Sequence, residues 1–176
     1  LVKSWDIDNY GQDLSNNPLI QSALKEQQAF GSLAIGARGV SIIAISPVIE
    51  RGEMVGMISM IQGLASVRKH FTEEKNGQWL MLVDRKYVKD RYGEMPIIDN
   101  NTVFTERYIV ANDNWFPKEV IEFSKGGFKA IEGKQQAVYP VDDKMIIDIP
   151  ALDEVGNVFG RHLFIIDRAA YEAPIN

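Results

Sequence analysis

Asp148 interrupts the run Met145-Ile146-Ile147-Asp148-Ile149, which otherwise reads as an apolar strand. A carboxylate taken out of water needs a partner. By alternation Asp148 shares a face with Ile146 and Lys144. That face is either solvated, or it lines a cavity in which Asp148 can bind an amine or another hydrogen-bond donor. Arg38, beside Gly39, is either a surface bend residue or a carboxylate clamp, since a guanidinium pairs with a carboxylate through two parallel hydrogen bonds. Trp5, Trp79, Phe104, Tyr108, Trp115 and Tyr139 supply aromatic surface, which forms a core more often than a ligand cage.

Catalysis has little to work with. The two histidines, His70 and His162, fall in different expected elements. His70 reads as a solvent-facing helix residue, and His162, inside the last strand, as a satisfied structural histidine. No H-x-x-x-H pair, metal-spaced carboxylate set or G-x-S-x-G elbow occurs. The glycines between Gly31 and Gly39 lack phosphate-loop order and a Lys-Ser/Thr partner. The chain has no cysteine, which rules out disulfides, thiolate metal sites and a cysteine nucleophile. We therefore expect no enzyme, no cofactor and no metal site. Asp84, Asp99, Asp113, Asp142, Asp143 and Asp153 stand where turns are expected and read as turn formers. With a net charge of −5 and scattered basic residues, the chain carries no footprint for nucleic acid.

The elements that must position these residues can be read from pattern. Asn16-Asn17-Pro18 signals a helix start, and an apolar stripe of Leu19, Ile20, Ala23 and Leu24 carries that helix to about residue 28. A short strand is expected over 30–37. Residues 39–63 read as two strands joined by the turn Glu50-Arg51-Gly52-Glu53, with Gly52 free to take a positive φ. This register sets Ser41 opposite Gln62, Ile43 opposite Met60 and Ile45 opposite Ile58. Both faces of the hairpin are mainly apolar, so it is expected inside a sheet covered on both sides.

Further along, a helix is expected over 64–74, with Gly77 as its stop, and a buried strand over 78–83. An excursion with short local structure then runs to residue 106. A brief strand over 107–111 and a helix over 117–124, ended by Gly126-Gly127, precede strands over 136–141, 144–152 and 158–167. The pattern predicts an α+β domain with an antiparallel sheet and helices on its faces. No repeat, low-complexity segment or domain boundary is visible. At 176 residues the chain suits one domain with a sizeable core.

The run GVSIIAISPVIERGEMVGMISMIQGLASV, through Gly39, Ser41, Ser46, Pro47, Gly52, Gly56 and Ile61-Gln62-Gly63, resembles the extracytoplasmic Cache sensor domains of bacterial chemoreceptors (methyl-accepting chemotaxis proteins) and related sensor kinases. The resemblance implies a PAS-like Cache fold, with a central antiparallel sheet, flanking helices and a long amino-terminal helix that ends within residues 1–13. It makes residues 1–176 a single ligand-binding sensor domain, and a fragment whose flanking segments hold transmembrane helices, consistent with Leu as first residue. No 18-residue apolar run of its own could span a bilayer.

Many relatives carry arginine in the first hairpin strand where this sequence has Ile43. With Ile43, Ile45, Ile58 and Met60 around it, that face offers only Ser41 and Gln62 as polar groups. The expected ligand is thus a small organic acid or similar metabolite, largely apolar or singly charged. The candidate ligand-binding residues are Arg38, Ser41, Ile43, Met60, Gln62, Tyr108, Trp115, Tyr139 and Asp148. Tyr108 and Trp115 rank first among the aromatics because they follow the excursion, which covers the pocket in Cache relatives. The resemblance further implies a periplasmic location, a homodimer and membrane anchoring through segments outside this sequence. The alternatives are the sensory domain of a histidine kinase, or a protein-interaction or dimerisation module of the same fold without a small-molecule ligand.

Overall fold

The computed structural model describes residues 11, 13–36, 39–75, 77–129, 131 and 135–172. Its backbone forms two compact units: residues 1–32 with 43–61, and residues 33–42 with 62–176. The sequence reading saw one domain and no boundary. The long amino-terminal helix expected within residues 1–13 falls largely outside the described residues.

In the first unit, helix α1 (Pro18–Glu26) starts as its sequence dictates. The Asn17 side chain accepts the Leu19 N–H at 2.9 Å, and Pro18 occupies the first turn, where it has no N–H to waste. Left-handed Gln27 closes the helix and donates its N–H to the Ala23 carbonyl. Leu19 and Ala23 form the buried stripe.

Strands β1 (Phe30–Gly36), β2 (Gly39–Glu50) and β3 (Glu53–Gly63) form a three-stranded sheet in that order. Arg51 and Gly52, at φ 52° and 85°, make the two-residue turn between β2 and β3. Two successive positive φ values are what a twisted hairpin requires. The expectation that both hairpin faces are covered fails. Ile58 is 61% and Met60 73% exposed, and Ile49, Val55 and Ile61 are exposed as well. Edge position alone does not account for it, since Ile49 lies on the middle strand β2: apolar composition marks a face that can be covered, and does not itself bring a covering layer.

The second unit holds the larger core. Strands β4 (Gln78–Asp84), β5 (Tyr108–Val110), β6 (Ala137–Val141), β7 (Lys144–Leu152) and β8 (Val158–Asp167) form an antiparallel sheet of order β5-β4-β8-β7-β6. Interior strand β4 is buried from Trp79 to Asp84, which accounts for its unbroken apolar run. Gly160 lets β8 approach it; a Cβ there would fall inside the radius of the Leu82 carbonyl oxygen. The three final strands expected from turn chemistry are all present. Asp142, at φ 53°, turns β6 into β7. The Asp153 carboxylate accepts the N–H groups of Val155 and Asn157 between β7 and β8.

Pairing register sorts the side chains. Tyr108, Leu82, Leu80, Arg161, Leu163, Asp148, Ile146 and Tyr139 share one face, and Trp79, Met81, His162, Phe164 and Ile147 the other. Helix α2 (Ala65–Lys75) covers the second face through Phe71, whose ring lies 5.0 Å from that of Phe164. The excursion carries two short helices, α3 (Arg85–Tyr92) and α4 (Pro96–Asn100). Asp84 caps α3 by accepting the Lys86 and Tyr87 N–H groups, and its other oxygen takes the Arg107 Nε–H at 2.6 Å. Helix α5 (Lys118–Gly127) ends over the first face, where Gly127 packs on Val141. A short helix, α6 (Arg168–Glu172), follows β8. No helix among the described residues is long and apolar enough to cross a membrane.

Candidate functional site

On the first face of the five-stranded sheet, β7 delivers Asp148 and β8 delivers Arg161. Asp148 faces Leu163 and Pro150 faces Arg161, so the two charged residues are diagonal neighbours. The Arg161 Nε–H donates to Asp148 Oδ1 at 2.6 Å, and its Nη2 donates to the Gln135 carbonyl at 2.6 Å. Both side chains are sealed from solvent, Asp148 at 0% exposure and Arg161 at 1%. Asp148 Oδ2 is buried and has no hydrogen-bond partner. A fully buried charge pair with one carboxylate oxygen unsatisfied is costly to keep.

Aromatic side chains frame the pair. Tyr108, on β5, meets Phe128 edge-on at 5.9 Å, and Phe128 meets Phe104 at 5.3 Å. The Tyr139 hydroxyl, from β6, accepts the Lys129 N–H at 3.5 Å, and the Lys129 ammonium lies 5.4 Å from the tyrosine ring. The residues following α5 therefore cover both tyrosines. Burial pushes the Asp148 carboxyl above the usual carboxylate range, with Arg161 pulling it back. Burial likewise raises the Tyr108 and Tyr139 phenols, which stay protonated as hydrogen-bond donors.

Of the nine residues singled out by sequence, Tyr108, Tyr139 and Asp148 come together on this face. The solvated alternative for Asp148 is overturned by its burial. Trp115 is half-buried in a 3-10 turn (Asp113–Trp115) with its ring against Gly63, and Ser41 is half-buried on β2. Gln62 is exposed and donates to the Ser66 hydroxyl at 2.8 Å. Ile43 and Met60 belong to the other unit, where Met60 lines an open concavity of about 370 Å³ with Phe30, Ala44, Ile45 and Ile58. Arg38 lies outside the described residues.

Sequence reasoning passed over Arg161. A signal was present: it shares strand parity with Leu163 and Ile165 and is the counter-charge that a buried Asp148 demands. His162, on the opposite face, is the structural histidine expected. Its Nδ1 accepts the Trp79 indole N–H at 3.3 Å, and burial, with Arg161 nearby, lowers its pKa to about 4. Among the described residues no group of three or more His, Asp or Glu side chains is placed to hold a metal ion.

The family model for the double sensory domain of two-component sensor kinases (dCache_3) matches residues 1–90, half of the chain. The chain belongs to this family. No curated protein sequence matches it. Among solved structures it is similar to the ligand-binding domain of the Pseudomonas aeruginosa PAO1 amino acid chemoreceptor PctC in complex with GABA (12% identity, TM-score 0.42, 91% of this chain and 66% of that one). Another is the ligand-binding domain of the Pseudomonas fluorescens chemoreceptor CtaA in complex with L-isoleucine (13%, 0.43, 92% and 61%). A third is the extracellular domain of the putative histidine kinase vpHK1S-Z8 (12%, 0.40, 94% and 60%). The dCache_3 chain described here thus spans less than two thirds of the length of these structures.

Proposed function

We propose that this member of the double sensory family is the ligand-binding region of a membrane-anchored receptor, lying outside the cytoplasm and sensing a small organic metabolite. The observation that carries the reading is the joint presence of a sensory-family sequence and a buried Asp148–Arg161 pair, flanked by Tyr108 and Tyr139, with one carboxylate oxygen left unsatisfied. Recognition of a small polar molecule uses such parts: apolar and aromatic walls with a few convergent polar groups. Bound ligand favours one arrangement of the sheet over another, by no more than its difference in affinity for the two.

Two outputs are compatible with this module, a methyl-accepting chemotaxis domain and a histidine kinase. The family description, which names two-component sensor kinases, supports the kinase. A homodimer held in the membrane by flanking helices completes the proposal.

Mass spectrometry of the purified protein under native and denaturing conditions, followed by a thermal-shift screen of small metabolites, tests the reading. A co-purified or stabilising metabolite is the expected result. A protein that carries nothing and is shifted by none would instead support the interaction-module alternative.

A further inference from the structure

Residues 33–42 and 62–176 belong to the second unit and 43–61 to the first, so β2 and β3 each run from one unit into the other. Where β2 leaves the second unit, the Asn112 side chain lies against it. Asn112 Oδ1 accepts the Val40 N–H at 3.2 Å, and Asn112 Nδ2 donates to the Val40 carbonyl at 3.3 Å. A single side-chain amide thus does for Val40 what a residue of a neighbouring strand would do. Both residues are buried, so parting them would leave a backbone N–H and carbonyl without partners and away from water.

The surroundings are shaped to this contact. Gly39 sits at φ 118°, and a Cβ there would fall 2.3 Å from Asn112 Nδ2 and 2.4 Å from the Ala111 carbonyl oxygen. At the other crossing, a Cβ on Gly63 would lie 3.0 Å from the Trp115 ring. Asn112 is itself held. The Ala111 N–H donates to the Met81 carbonyl of β4 at 2.9 Å, and the Asn101 amide donates to the Val110 and Ala111 carbonyls. Asp113 accepts from the Thr102 N–H and hydroxyl. Residues 110–115 are therefore pinned to the five-stranded sheet while they grip the bases of β2 and β3. Val40 and Leu64 also pack into the core there, but apolar packing has no direction. The paired bonds of Asn112 are directional, and they fix where along β2 the grip is made.

Going beyond the sensory reading, and needing no ligand, we propose that Asn112 is the joint that makes the two units open and respond as one. The joint lies wholly within the second unit, three residues before Ile43, where β2 enters the first. A disturbance of the first sheet arrives as a pull on Val40. Asn112 takes it up, and Ala111 hands it to β4 through the bond to Met81.

Hydrogen exchange of the whole chain, resolved by peptide in mass spectrometry, tests this. Ala23→Gly loosens the first unit at α1, where Ala23 is fully buried, and should speed exchange of the amides in 43–61 about fivefold. With Asn112 in place, the same fivefold rise is expected in β4, because the units open together. Combined with Asn112→Ala, the rise should stay in the first unit and leave β4 at the rate of Asn112→Ala alone. Should Asn112→Ala fail to fold, Asn112→Asp, which keeps the acceptor for the Val40 N–H and loses the donor, takes its place. Ile121→Val, which weakens the buried core of the second unit away from the joint, should leave the spread intact. A rise confined to the first unit in Ala23→Gly alone would overturn the proposal, and that comparison needs no variant of Asn112. A spread that survives the loss of Asn112 would assign the coupling to the packing of Val40 and Leu64, and a spread lost in Ile121→Val would assign it to the general stability of the second unit. Either result also overturns the proposal, and each leaves the sensory reading standing, since no ligand enters the measurement.

Discussion

Replacing Arg161 by leucine would leave the Asp148 carboxylate buried with neither of its oxygens paired. Loss of one partner of a sealed ion pair costs about 3–5 kcal/mol, whereas replacing both by apolar residues is often neutral. We expect Arg161→Leu to lower the urea midpoint steeply and Arg161→Leu/Asp148→Leu to recover most of it. Equal loss in the single and double variants would mean that the pair stabilises the sheet outright. His162 gives a second residue-scale test. Its folded-state pKa, about 4, lies below the unfolded value near 6.5, so the unfolded chain binds more protons between those values. Stability is therefore complete above pH 6.5 and falls as pH drops toward 4, by up to about 3 kcal/mol. The Asp148 carboxyl, raised by burial, acts in the opposite sense: ionisation weakens the fold as pH rises above the ordinary carboxylate value. Urea unfolding of wild type and His162→Gln between pH 4 and 7 separates the two. The variant should lose the decline, and the Trp79 fluorescence change tied to the indole–imidazole bond should vanish with it.

At the scale of elements, two glycine-related positions make opposite predictions. Gly160→Ala drives a methyl into the Leu82 carbonyl on the neighbouring strand, where the obstacle is backbone and cannot step aside. Separation of β4 from β8 at the centre of the sheet should cost roughly 3 kcal/mol or more and abolish soluble expression or sharply lower the melting temperature. Arg51→Gly relieves a left-handed side-chain-bearing residue in the β2–β3 turn and should stabilise the hairpin by about 0.5–1 kcal/mol in the same assay. Strand β3 supplies a control: with Ile58 and Met60 well exposed, Ile58→Lys and Met60→Lys should each change stability by no more than about 0.5 kcal/mol.

Taken whole, a sensor of this size should register its ligand as a shift in unfolding. At a concentration 100 times its Kd, a bound metabolite adds about 2.7 kcal/mol, or roughly 5–10 °C for a domain of 150–250 residues. Differential scanning fluorimetry measures this. Much of the molecule was legible beforehand. Asn17 and Pro18 announced α1, the apolar run at 78–83 announced a buried strand, and the aspartates at 142 and 153 announced the closing meander. Each is a local signal whose physics acts within a few residues. Position within the sheets was not legible. The same apolar alternation that buries β7 leaves β3 open, because burial depends on which elements arrive from elsewhere. Asp148 could be flagged as a misfit, but its partner stands thirteen residues away and meets it only through the β7–β8 register. Strand β8 itself is laddered on one flank to β4 and on the other to β7. Such a strand cannot slide without tearing hydrogen bonds on both flanks. A load imposed at Arg161 is therefore shared with β4 and β7 as one laddered plate, rather than carried along β8 alone to Asp167, about 20 Å further on.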